Sequence, residues 1–169
     1  DIQSSMKKTE KGFTIIEVAL VLAIGALIFL VVFLAVPALQ RNQRNDARKR
    51  DISNVVEAVT DYNSNNPTQG LSETNSPYYY DNGGSLKKDA NTLGKYLDTL
   101  SSNIKRVEIR AQGKLPSKPD AGTAEQIFVI KSSQCNGLHD VKAAPGRKSA
   151  VVGTVENNSG YEFYCQDAS

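Results

Sequence analysis

The chain has 169 residues, with 20 Lys and Arg against 18 Asp and Glu, a net charge of +2. That length suits one modest domain with an appendage, and that charge is too small to imply a nucleic-acid partner by itself. A structural zinc site wants four nitrogen or sulfur ligands, more than one histidine and two cysteines supply.

Residues 1–12 read as a leader. The first five, "DIQSS", precede Met6 and read as an expression remnant or an over-long start. From Met6 to Gly12 the stretch is short and basic, with Lys7, Lys8 and Lys11. Then comes "GFTIIE": Gly12, an apolar Phe13, and a carboxylate, Glu17, at the mouth of a long apolar run.

Val18–Leu39 holds no charged or strongly polar side chain. About twenty apolar residues, rising ~1.5 Å each, cross a hydrocarbon core of roughly 30 Å. Residues 13–39 are therefore expected to form a transmembrane helix. Gly25 and Pro37 weaken it. Pro37 removes one backbone hydrogen bond and is expected to kink the helix near the outer surface. A carboxylate at full membrane depth costs on the order of 2.5–3.5 kcal/mol. Glu17 thus either stays wet at the interface or meets a cation. A peptidase cut between Gly12 and Phe13 would supply one, because the new α-amine of Phe13 lies one helical turn away, on the same chain or on a neighbour.

Residues 40–63 continue the helix in another register of polarity. "RNQRNDARKR", residues 41–50, carries five basic side chains and one acidic one. It reads as a solvated face, as a surface for anionic lipid headgroups, or as a filament interface in which Arg41, Arg44 and Arg48 meet Asp46, Asp51 or Glu57 of neighbours. Charge alone is non-specific and does not point to DNA. Ile52, Val55, Val56, Val59 and Tyr62 then make one apolar stripe. Asn63, Asn66, Pro67 and Gly70 punctuate the end.

Residues 64–169 read as a globular head. Tyr78, Tyr79 and Tyr80 are contact residues or a lid on the long helix. Asp81–Gly84 has turn chemistry. Asp81, Asn82 and Asp89 fall short of an EF-hand loop. Leu86, Ala90, Leu93, Tyr96, Leu97 and Leu100 predict a short amphipathic helix, weakened by Gly94. Strand signals follow in "RVEIR" at 106–110, "IFVIK" at 127–131, "AVVGTVE" at 150–156 and "YEFYC" at 161–165. The turn "NNSG" joins the last two. With no helix visible after residue 103 to carry a crossover, the sheet is expected to be antiparallel, of three or four strands, with one face against the stripe on the helix. The class is α+β: a long N-terminal helix packed against a small antiparallel sheet.

Cys165 lies on the last strand and Cys135 in the loop after "IFVIK". Behind a membrane segment they fit one disulfide in an oxidising compartment, the alternative being two buried thiols. His139 and Asp140 are adjacent, which is poor geometry for a catalytic pair. G-x-S-x-G, P-loop and dinucleotide patterns are missing from the sequence. The reading is non-enzymatic, with no cofactor and no metal.

Over residues 6–40 the chain resembles type IV pilins and the related pseudopilins, whose pattern is a short basic leader ending in Gly, an apolar residue, and Glu at the fifth mature position. Gly12, Phe13 and Glu17 match each element. The resemblance implies cleavage after Gly12 by an inner-membrane prepilin peptidase and methylation of the Phe13 amine. It implies residence in the cytoplasmic membrane, then assembly by pilus machinery into a homo-oligomeric helical surface filament, Glu17 neutralising the Phe13 amine of a neighbour. Adhesion, twitching motility, DNA uptake and secretion all use this plan. The head would face outside, often with a disulfide near its end, as Cys135 and Cys165 would allow. Two features depart from the pattern. The proline frequent at the twenty-second mature position is Leu34 here, with Pro37 one turn on. The flanking basic residues, counted alone, would place residues 41–169 inside. The polar head and the cysteine pair favour outside.

Two other readings compete. A single-pass anchored binding module predicts no cut at Gly12 and indifference to Glu17. A secreted protein would use "AVPA", residues 35–38, as a signal-peptidase site.

Overall fold

The computed structural model describes residues 12–73, 78–79, 93–97 and 100–168. It divides into two units, residues 1–40 and 41–169.

Helix α1, Ile15–Asn65, is continuous, with Pro37 inside it. In the first unit none of residues 12–40 is buried, and the large apolar side chains stand in the open, Phe33 at 76% exposure and Leu34 at 73%. A helix apolar on all sides and uncovered among the described residues is of the kind that suits lipid or other helices. By length and composition it suffices to cross a membrane.

In the second unit the same helix has a single buried stripe, formed by Arg48, Asp51, Ile52, Val55, Ala58, Val59 and Tyr62. Val56 is only partly buried. The stripe packs on a five-stranded sheet of order β1-β2-β3-β6-β7. The strands are β1 Tyr78–Tyr79, β2 Arg106–Arg110, β3 Gln126–Lys131, β6 Ser149–Asn157 and β7 Gly160–Ala168. Between β3 and β6, strands β4 Ser133–Cys135 and β5 Val141–Ala143 form a separate two-stranded sheet.

The sheet is mostly antiparallel, but β2 and β3 run parallel, with Val107 opposite Ile127 and Ile109 opposite Val129. This corrects the wholly antiparallel expectation. The connection is residues 111–125, long enough to return the chain to the same end of the sheet without an α-helix; it holds only a single 3₁₀ turn, Thr123–Glu125.

Both sheet faces are covered. Ile127, Val129, Val107, Ile109 and Val151 join the stripe of α1 in one core. Phe128, Ile130, Ala150, Val152, Phe163 and Cys165 form a second on the opposite face, with Leu115, Cys135 and Val141 packed against it. That is why β3 is a continuous apolar run, whereas β2 alternates, its outward Glu108 paired with Arg106 and Arg110. Gly153 of β6 faces Ile52 so closely that a Cβ there would lie 2.5 Å from Ile52 Cδ1.

Leu93, Leu97 and Leu100 are buried in the first core, as an apolar helical face would be. The element seen there, however, is a 3₁₀ turn, Leu93–Lys95; the expected helix from Leu86 to residue 92 lies outside the described residues, as do Tyr80, the turn at Asp81–Gly84 and Asp89. Cys135, expected in a loop, stands on β4. The last turn of α1 carries no basic residue of its own. Arg147 supplies one from the β5–β6 connection, its Nη2 donating to Asn63 Oδ1 at 3.2 Å, Asn66 O at 2.6 Å and Gln69 O at 2.9 Å.

Candidate functional site

Two places carry the residues singled out by the sequence: the start of α1, and the basic stretch where α1 meets the sheet.

At the start, Thr14 precedes the first helical residue and Glu17 is the third residue of the helix. The Thr14 N–H donates to Glu17 Oε2 at 3.2 Å, and the Glu17 N–H donates to Thr14 Oγ1 at 3.3 Å. This reciprocal pair is a capping box: each side chain satisfies a backbone donor that the first helical turn leaves without an acceptor. A carboxylate here also faces the positive end of the helix dipole. Glu17 therefore has an intrachain partner, where the sequence reading offered only water or an amine. The signal was present, because T-x-x-E before an apolar run is the capping pattern. Gly12 and Phe13 lie next to it and are exposed, Phe13 at 89%.

The second place is the end of β6. Arg44 Nε lies 2.7 Å and Arg48 Nη1 2.9 Å from Glu156 Oε2. Arg44 Nη2 reaches the other carboxylate oxygen at 3.1 Å, so its guanidinium grips Glu156 with two prongs. Asn45 clamps the backbone of the same residue. Its Nδ2 donates to Glu156 O, and its Oδ1 accepts from the Glu156 N–H, both at 2.8 Å. Arg41 donates to Asn158 Oδ1 at 2.8 Å, at the tip of the β6–β7 hairpin. The hydrogen bond from Arg44, helped by Arg48, holds the Glu156 carboxyl below its ordinary pKa; the same bond raises that of Arg44. Arg41, Arg44 and Arg48 thus have partners in their own chain. Of the three carboxylates considered for neighbours, Asp51 is buried and accepts from the Ser101 N–H at 2.9 Å and from the Ser101 hydroxyl. Asp46 and Glu57 are exposed. Glu156, Asn45 and Asn158 had no legible signal, since nothing local ties residue 44 to residue 156.

Cys135 and Cys165 are joined in a disulfide, their Cα atoms 5.8 Å apart. His139 and Asp140 do not face one another as a pair. His139 Nδ1 lies 2.7 Å from Phe163 O, and Asp140 Oδ1 accepts from the Val141 N–H at 2.8 Å.

Residues 7–33 match the model of the prokaryotic N-terminal methylation motif. The chain carries the type IV prepilin signature. The match takes in Gly12, Phe13, Glu17 and Gly25, and stops short of Pro37. That signature is the one found in pilin-like and pseudopilin-like proteins, and the long helix on a mostly antiparallel sheet is pilin-like. No curated protein and no solved structure matches the chain.

Proposed function

We propose that this chain is the structural subunit of a type IV pilus or a related surface filament. A prepilin peptidase cuts after Gly12, the amine of Phe13 is methylated, and residues 13–39 hold the subunit in the cytoplasmic membrane until it enters the filament. There the same residues pack against neighbouring copies. The observation that carries this reading is the prepilin signature on a helix whose apolar side chains, from Phe13 to Leu39, are covered by nothing among the described residues. Residues 64–169 form the outward head. Gly suits the cut because it presents no side chain to the peptidase. The cut leaves a cation one turn from Glu17, and a carboxylate in apolar surroundings gains most from such a partner. Pro37 and Gly25 are the points at which the helix gives during packing.

The mass of the N-terminal peptide from membranes and from sheared surface material tests this. The expected peptide starts at Phe13 and bears one added methyl. A peptide retaining Met6–Gly12 would overturn the proposal in favour of a plain membrane anchor. A start at Leu39 would mean that the whole apolar block is a discarded signal.

A further inference from the structure

Strand β7 is an edge of the five-stranded sheet. An edge presents unpaired amides and carbonyls, and proteins cover it or make it unattractive. Here the segment Asn136–Asp140 does the covering. Leu138 O accepts from the Cys165 N–H at 2.8 Å, and His139 Nδ1 lies 2.7 Å from Phe163 O, the geometry of an N–H donor. Both groups point away from β6, so this segment stands where a sixth strand would pair. The Asn136 N–H closes the segment on Asp140 O at 2.8 Å. Residues 136–140 are all exposed, Leu138 at 59%, so no buried apolar side chain anchors them. A segment held by a few exposed hydrogen bonds opens at low free energy unless something covalent holds it. The ends of the segment are tied by the pairing of Cys135 with Val141, and the Cys135 N–H donates to Asp167 Oδ1 on β7 at 2.7 Å; the covalent restraint on the segment is the disulfide from Cys135, at its first end, to Cys165, the residue whose N–H it covers.

We propose that Asn136–Asp140 is a redox-held cover for the outer edge of β7. With the disulfide intact, the segment occupies the edge's hydrogen-bonding positions. A dithiol reductant transfers two electrons and two protons, giving thiols at Cys135 and Cys165 and closing to its own disulfide. The segment then lifts, and Phe163 O and the Cys165 N–H open to solvent while the rest of the sheet stays paired.

Amide hydrogen exchange, read by NMR on the full chain in detergent micelles with and without a dithiol, tests this. In the oxidised chain the Cys165 amide is expected to be protected. In the reduced chain it is expected to exchange at least about tenfold faster than Val129 in β3, with no dependence on low urea, the mark of local opening. Protection at Cys165 unchanged by reduction would overturn the proposal. So would a Cys165 exchange rate in the reduced chain that equals that of Val129 with the same urea dependence, because the edge would then open only together with the whole sheet.

Discussion

Replacing Glu17 by Gln keeps an oxygen for the Thr14 N–H and removes the charge, because Gln also completes a capping box. Replacing Thr14 by Ala does the reverse, at a cost of about 1 kcal/mol to the helix start. In the proposed filament the charge meets the Phe13 amine of a neighbour. Glu17→Gln is thus expected to insert and be cleaved, yet to be missing from sheared filaments, while Thr14→Ala still assembles. Quantifying subunit in the membrane and sheared fractions checks both; filaments from Glu17→Gln would remove the charge from assembly. Glu156 is testable by pH. Its carboxyl is held below the ordinary value, about 4.3 for a free glutamate. The stability it contributes is therefore complete above that value and lost as pH falls through the lowered folded-state pKa. Thermal melts below about pH 4 should fall less steeply for Glu156→Gln than for the parent chain. A third residue, Gly153, is small because α1 lies against it. Gly153→Ala is expected to cost about 1–3 kcal/mol by overpacking, with part recovered in the double variant carrying Ile52→Val. Urea titration reads both. The sequence showed a glycine in a strand, but not that Ile52 would fill the space above it.

Among the elements, those whose pattern answers to one local environment were legible. The apolar run and the stripe from Ile52 to Tyr62 came directly from periodicity, and α1 ends at Asn65, close to the Asn–Pro punctuation. "IFVIK" was legible as a strand, but its apolar residues on both sides were not read as a second core. That core needs Leu115 and the β4–β5 pair, and only the completed fold brings them to Phe128 and Val152. The parallel pairing of β2 with β3 was also hidden, because a connection without an α-helix carries no crossover signal. The disulfide closes a loop between residues 30 apart, worth about 3–4 kcal/mol in the chain-entropy model. Replacing Cys135 and Cys165 together by Ser is expected to lower the urea midpoint accordingly, with little change in slope.

At the scale of the whole molecule, one helix carries two kinds of surface. The apolar side chains of residues 13–39 are exposed on all sides, whereas residues 41–65 bury one stripe against a sheet. Hydropathy changes abruptly at Arg41, and that much is plain in the sequence. The contacts at the junction are not, because Arg41, Arg44, Asn45 and Arg48 find partners more than a hundred residues later. Their position has a mechanical consequence. A tensile force drawn along the apolar end of α1 enters the head at these four residues before it reaches Ile52. The first bonds to be strained join side chains to the end of β6 and the hairpin tip. Under tension these side-chain bonds are expected to give before the packing around Ile52 does.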